Sequence, residues 1–408
     1  MSEARRFRSS VLGSYARGVE FGSAHPGQIR ATVSAYDRIF RERGSEYQVE
    51  PERVLEVTAR VAAQALEEID GWAPDLGQEI RGIAAGSGLD LAQIAAINAR
   101  TEVLAAISQA ATVSGGVDST AGGPAMSLRG ECSTVVALGA SGSAPLAMQN
   151  WDWYLALADC WLVWDIPHQG GGLTTTATEY GIVGKLGLGR HGLGLLFNIL
   201  GHERDGVGAA GVPVHVIARQ VLDSAASIGQ AVELLRTARV SASTVLTLVT
   251  ADDLSSDLAS AAVHATRAPG GATTAPAGNS SAGSALCAEL WPGGVELIEP
   301  HQGRLFHTNH FLAQAPRAGD THLASIPDTL TRLTALKRQL GSELAGPIGA
   351  KQLRQALCDH GEGPNSLCCH PDPLDPEDAR YATLLTASLN FTAGTLEVSA
   401  GTPCGHHS

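Results

Sequence analysis

The chain has 408 residues, 44% of them hydrophobic and 5% aromatic, with a formal net charge of −13. That length and apolar content support a large packed core in one or two domains, and an acidic chain without an extended Lys/Arg cluster does not read as a nucleic-acid binder. Arg5, Arg6 and Arg8 are followed by no apolar run, and no apolar stretch reaches the ~18 residues of a membrane span, so the expected location is the cytoplasm.

From about Gly27 to Ser108 the chain reads as helical. Pro51 sits at a first-turn position with Glu52 beside it, and apolar residues recur at helical spacing through Val61, Ala65 and Ile69. The pattern breaks at Gly86-Ser87-Gly88 and resumes from Leu89 to Ile107. Val113 to Gly130 is rich in Gly, Ser, Ala and Thr and reads as a linker. From Cys132 the period changes to two. Ser133–Leu138 and Ala144–Asn150 suggest a hairpin, followed by strands at Leu162–Pro167, Leu173–Tyr180, Ile182–Gly187 and Gly192–Leu200. Helices are expected at Val214–Ser224 and Ile228–Arg236, and strands at Thr244–Thr250, Ala285–Leu290 and Gly294–Glu299. A surface loop is expected at Ala261–Ala282. Helices at Ile326–Leu340 and Ala350–Asp359 precede a closing pair of strands, Leu384–Asn390 and Thr395–Ala400. This order fits an α+β protein with two packed sheets and helices outside them.

The stretch that carries chemistry is Arg129-Gly130-Glu131-Cys132-Ser133-Thr134-Val135-Val136-Ala137, followed by Gln149-Asn150-Trp151-Asp152-Trp153. A cysteine opens an apolar strand directly after a small-residue segment, where a cut would make it a new N-terminus. A terminal cysteine combines a thiol, of pKa about 8.5, with an α-amine of pKa about 7.7–8.0, so one can serve as base for the other. Holding both on one residue supplies a proximity advantage of up to roughly 7–11 kcal/mol. The bland reading of Cys132 is a small buried strand residue.

These two runs resemble the acyl-coenzyme A:6-aminopenicillanic acid acyltransferase family. Three further segments are similar to it: Gly189-Arg190-His191 through Asn198, His307-Thr308-Asn309-His310-Phe311, and Ala387-Ser388-Leu389 with Gly401-Thr402-Pro403-Cys404. The resemblance implies an αββα sandwich of the N-terminal-nucleophile hydrolase type, with a helical N-terminal segment. It implies self-cleavage between Glu131 and Cys132 into fragments 1–131 and 132–408 that stay associated. Family members usually carry glycine before the cysteine, where this chain has Glu131. By the same resemblance Asp152 accepts hydrogen bonds from the Cys132 amine, Asn309 helps bind the tetrahedral oxyanion, and Arg332 faces the pocket. The competing readings are a structural carboxylate for Asp152, a turn residue for Asn309 and a surface helix arginine for Arg332.

Trp151, Trp153, Trp161 and Trp164 either line an acyl or aromatic pocket, with Trp151 and Trp153 as substrate-binding candidates, or belong to the core. His307 and His310 read as satisfied histidines beside Asn309. Seven cysteines in a chain of this length read as reduced thiols. Cys358, His360, Cys368, Cys369 and His370 could ligate zinc, but no clean Cys-x-x-Cys pair is present, so neither metal nor cofactor is assigned. The expected chemistry is an acyl-cysteine intermediate formed from a small-molecule amide or thioester and resolved by an amine or by water. Without a phosphate-cradling loop or basic patch, the acidic chain leans toward hydrolysis or a small acyl donor. The alternative is an unprocessed, non-catalytic binding protein on the same fold.

Overall fold

In the computed structural model the described residues are 4–113, 132–139, 143–251, 283–341 and 348–405. The fold is mixed α+β. Among the described residues, six helices fill the N-terminal part: α1 (Ser14–Ala24), α2 (Pro26–Glu46), α3 (Pro51–Trp72), α4 (Pro74–Ser87), α5 (Leu91–Asn98) and α6 (Arg100–Val113). The expected break falls at Gly88, which ends α4 in the left-handed region at φ 69°. Helix α1 was not anticipated. It packs along α4 through Gly18 and Gly22 on one side and Gly82 and Gly86 on the other. A Cβ at Gly18 would lie 2.1 Å from the Glu79 carbonyl oxygen, and one at Gly82 would lie 2.2 Å from that of Tyr15. Only glycine lets these backbones touch.

Among the described residues the strands form two sheets. The larger has the order β1 (Arg6–Arg8), β4 (Trp161–Pro167), β5 (Leu173–Glu179), β6 (Leu186–Leu188), β7 (Gly194–Ile199), β8 (Thr244–Thr250), β9 (Ser284–Trp291), β10 (Gly294–Ile298). The smaller has the order β11 (Arg304–His307), β2 (Cys132–Ala137), β3 (Leu146–Tyr154), β12 (Tyr381–Asn390), β13 (Thr395–Ala400). Every residue of β2, β7 and β8 is buried, as strands covered on both faces require. On the larger sheet α7 (Val214–Ser224) contacts β6 and β7, and α8 (Ile228–Thr237) contacts β8 and β9.

Two short helices, α9 (Gln314–Arg317) and α10 (His322–Ser325), precede α11 (Asp328–Leu340) and α12 (Ala350–Leu357). Helices α11 and α12 cover the smaller sheet, where Leu336, Leu353 and Leu357 meet Val135 and Met148. The other face of that sheet contributes Val136 and Trp151 to the main core, together with Leu195 and Phe197 of the larger sheet. Between the sheets Thr134 Oγ1 donates to Asn198 Oδ1 at 2.7 Å, and the Phe197 N–H donates to Gln149 Oε1 at 3.0 Å.

Several expectations need correction. The expected strand Ile182–Gly187 shrinks to Leu186–Leu188. Gly181 turns the chain at φ 93°, and the Val183 N–H is taken by Asn98 Oδ1 instead of a neighbouring strand. The strand expected to stop at Asn150 runs on to Tyr154, paired with β12 beyond the reach of β2. Strands β1 and β11 and helices α9 and α10 were not read from the sequence, being too short to show a period. The loop expected at 261–282 lies outside the described residues, as does the linker expected at 113–130 except for Val113.

Candidate active site

Cys132 is the first residue of β2 and is buried, 1% exposed. Glu131, on the other side of the expected scissile bond, lies outside the described residues. Cys132 stands opposite Trp151 in the β2–β3 ladder, and directly opposed residues share a face of the sheet. Its side chain therefore shares the inter-sheet face with Trp151. The next pair, Ser133 and Asn150, takes the helix-covered face. There Ser133 Oγ accepts from Arg332, and Asn150 Nδ2 donates to the Leu357 carbonyl at the end of α12 at 3.1 Å.

Both backbone groups of Cys132 are held by side chains from distant segments. Its N–H donates to Asn309 Oδ1 at 3.0 Å. Its carbonyl oxygen accepts from Asn198 Nδ2 at 3.1 Å and from Arg332 Nη1 at 3.0 Å. Arg332 Nη2 also donates to Asn309 Oδ1, at 3.0 Å, so one guanidinium fork spans the cysteine and the asparagine. The fork is fixed from its own helix, where Arg332 Nε pairs with Asp328 four residues earlier at 2.9 Å. Arg332 is 1% exposed, which overturns its reading as a surface arginine.

Asn309 follows β11 and is anchored at every polar group. Its N–H donates to Thr329 Oγ1 at 2.8 Å, and its Nδ2 donates to the Ile199 carbonyl at 2.9 Å. Its own carbonyl faces His322 Nδ1 at 2.9 Å. Two N–H partners at Oδ1 and a carbonyl partner at Nδ2 fix the orientation of this amide, because none of these partners can exchange roles. Burial, first of all, lowers the His322 pKa to about 4, so at neutral pH the ring is uncharged and its Nδ1–H is the donor.

Asp152 occupies the helix-covered face with Asn150, since side chains two apart on a strand share a face. It is fully buried, and its Oδ1 accepts from Thr383 Oγ1 on β12 at 2.6 Å. The described hydrogen-bond acceptor for the Cys132 nitrogen is thus Asn309, with Asp152 one residue past the cysteine's register partner. Trp151 lies in the inter-sheet core beneath Lys185, whose Nζ sits 4.5 Å from the indole and 4.7 Å from the Phe197 ring. Trp161 and Trp164 are core residues, Trp164 being stacked on Phe21 at 4.2 Å. His307 pairs with Glu289 at 2.8 Å, and His310 Nδ1 lies 3.0 Å from Thr329 Oγ1.

Trp153 lines a cavity of about 270 Å³ together with Arg43, Tyr47, Leu104, Ile199 and His322. Ile199 and His322 both bond Asn309, so the cavity adjoins the Asn309–Cys132 contact through them. Arg100 lies over the Trp153 ring at 4.9 Å, and Trp153 Nε1 donates to Tyr36 Oη at 3.0 Å. The structure thus brings Cys132, Asn309 and Arg332 together, sets Asp152 on the helix-covered face of β3, and gives Trp153 to the cavity. Asn198, Lys185 and Thr383 were missed as site residues. The available signal for Asn198 was an amide closing the apolar run Leu195-Leu196-Phe197, where a buried polar side chain demands partners.

The sequence model of the family described as acyl-coenzyme A:6-aminopenicillanic acid acyl-transferase matches residues 139–404, a span that begins after Cys132. The acyl-coenzyme A:6-aminopenicillanic-acid-acyltransferase 40 kDa form of Emericella nidulans is 27% identical over 207 residues, covering 51% of this chain and 50% of that protein. The chain thus aligns with about half the length of that relative. Among solved structures, the Caenorhabditis elegans ortholog of N-acylethanolamine-hydrolyzing acid amidase is 13% identical with a TM-score of 0.39, over 63% of this chain and 92% of the other. On the extent of the family match, this chain belongs to the acyl-coenzyme A:6-aminopenicillanic acid acyl-transferase family.

Proposed function

We propose that this protein is a self-processing cysteine N-terminal-nucleophile enzyme that acts on a small-molecule amide or thioester, its helix-flanked sheets forming an αββα sandwich. The observation that carries the reading is the clamp on Cys132. A strand-opening cysteine has its nitrogen held by Asn309, and its carbonyl held by Asn198 and by the arginine fork that also grips Asn309. Side chains from three distant segments, β7, the turn after β11 and α11, converge on the backbone of this one cysteine.

In processing, the Cys132 thiol gives its proton to the departing amide nitrogen while Sγ bonds to the Glu131 carbonyl carbon and the Glu131–Cys132 C–N bond breaks. Water then hydrolyses the thioester to the Glu131 carboxylate, regenerating the thiol and leaving a free α-amine on Cys132. In turnover that amine takes the thiol proton, Sγ accepts the acyl group, and the proton goes to the leaving amine or thiol. Water or an acceptor amine releases the acyl group from sulfur. Asn309 Oδ1 anchors the amine. Its Nδ2 carries two N–H bonds, of which one serves Ile199 and the other can face the oxyanion. Arg332 positions both residues, and Asp152, held by Thr383, accepts a hydrogen bond from the Cys132 amine once the bond is cut.

Fragments 1–131 and 132–408 stay together through buried contacts. Glu79 pairs with Arg219 at 2.9 Å, Arg100 with Glu179 at 2.7 Å, and Tyr36 with Trp153 at 3.0 Å. The test is a denaturing gel with N-terminal sequencing of the purified protein and of Cys132→Ala, followed by a panel of acyl thioesters and N-acyl amides with and without amine acceptors. Two fragments, the larger starting at Cys132, together with a Cys132→Ala chain that stays whole, support the reading. A persistent full-length chain whose Cys132 resists thiol labelling supports the non-catalytic alternative.

A further inference from the structure

Beside the segment that packs behind β3, four metal-binding side chains from three stretches of chain converge. His360 follows α12, Cys368 and His370 lie on the stretch leading to β12, and Cys404 comes from the turn after β13. Their ligand atoms all lie within 4.8 Å of one another. His370 Nε2 is 3.2 Å from His360 Nε2, 3.4 Å from Cys368 Sγ and 3.5 Å from Cys404 Sγ. One imidazole nitrogen has either a single proton or a single lone pair, so it cannot satisfy three hydrogen-bond partners at once. The distances do match edges of a coordination tetrahedron. With Zn–N and Zn–S bonds near 2.0–2.1 and 2.3 Å, nitrogens stand about 3.3 Å apart and nitrogen and sulfur about 3.6 Å apart.

We propose that His360, Cys368, His370 and Cys404 form a tetrahedral, structural zinc site. The two thiols each release a proton to solvent on binding, so two thiolates, two neutral imidazoles and the dication make a neutral centre. Two nitrogens and two sulfurs in tetrahedral array select zinc over hard, oxygen-preferring cations. All four positions are filled by protein, the pattern of a structural rather than a catalytic ion. The ion can enter from the side of His360, the exposed member of the set.

The backbone already holds these residues in place. The Cys368 N–H donates to the Asp359 carbonyl at 3.1 Å, Gly401 donates to Leu384 at 2.8 Å, and Arg354 Nη2 holds the Pro403 carbonyl at 3.1 Å. The site would tie the turn after β13 to the stretch beside Asp152, because the Cys369 N–H donates to the same Thr383 hydroxyl that bonds Asp152. Of the five Cys/His residues close in sequence here, His360, Cys368 and His370 belong to the set and Cys358 and Cys369 do not. Cys404 replaces Cys358 and Cys369, a substitution visible only once β13 returns the chain to this corner.

The test is elemental analysis of the purified full-length protein after dialysis against metal-free buffer, followed by cobalt substitution of the chelator-stripped protein. The proposal expects one zinc per chain, and thiolate charge-transfer and tetrahedral d–d bands with Co²⁺. Cys404→Ser and His370→Ala are expected to lose bound metal at least tenfold, while Cys358→Ser, outside the set, keeps it. Titrating zinc into the stripped wild type at a pH where both thiols are protonated is expected to release two protons per ion, a readout that needs no variant to fold. The proposal is overturned if wild type retains no more zinc than Cys404→Ser, or if peptide mapping finds Cys368 and Cys404 joined in a disulfide.

Discussion

Arg332→Met removes the clamp while leaving similar volume in place. The wild-type guanidinium makes contacts at 2.9–3.0 Å to the Cys132 carbonyl, Ser133 Oγ, Asn309 Oδ1 and Asp328. Its side chain has no solvent exposure and that of Asp328 has 9%, so water cannot replace the lost partner. Removing one member of such a buried pair costs about 3–5 kcal/mol, chiefly the penalty of the stranded carboxylate and carbonyl. The individual hydrogen bonds, at about 1.5–3 kcal/mol each for charged donors, cannot simply be summed. Urea unfolding of unprocessed Cys132→Ala and Cys132→Ala/Arg332→Met chains should show that loss as a lower midpoint at unchanged slope. In the Cys132 background, the rate of appearance of the two fragments at a urea concentration where the variant stays folded should fall by at least tenfold. Arg332→Lys, which keeps charge but supplies no fork, should recover stability more than rate. If folded Arg332→Met processes at the wild-type rate, the arginine does not position Cys132 and the clamp argument is wrong.

Two further outcomes follow from the same geometry. Asn309→Asp keeps the shape but cannot donate to the Ile199 carbonyl or to an oxyanion. Processing and turnover should fall by about 10²–10³, the usual effect of losing one oxyanion donor, in a stopped-flow or gel time course. A merely structural Asn309 would lower stability and leave the rate of the folded fraction intact. The second outcome concerns pH. His322 has its pKa lowered from 6.5 to about 4 in the fold, so between those values the unfolded chain binds the extra proton. Its contribution is complete above pH 6.5 and is lost as pH falls through 4, up to about 3 kcal/mol. Urea midpoints of wild type and His322→Gln should therefore converge as pH falls from 7 to 4, and parallel curves would contradict the assignment.

The elements with long periodic patterns were legible in the sequence: α3, the α7–α8 pair, β8 and the closing strands all appear near their expected bounds. Cys132 stood out because a small-residue segment gives way there to an apolar strand. What surrounds it was not legible from local pattern. Asn309 lies 177 residues and Arg332 200 residues from Cys132, and nothing in a helical arginine marks which carbonyl it will reach. The position of Asp152 across from Thr383 depends on β12 pairing with β3, a contact spanning 231 residues. Helix α1 was hidden because its packing rests on Gly18 and Gly22, residues that weaken a helical pattern while permitting close approach. Cys404 joins the Cys/His corner for the same topological reason.

The central claim is that Cys132 becomes an N-terminus by its own chemistry. The most direct measurement is the intact mass of the denatured protein, purified in parallel as wild type and as Cys132→Ala, over a time course of incubation. The account predicts masses for residues 1–131 and 132–408 in the wild type and an uncut chain in the variant. A wild-type chain that remains whole, or a Cys132→Ala chain cut at the same bond, would contradict it.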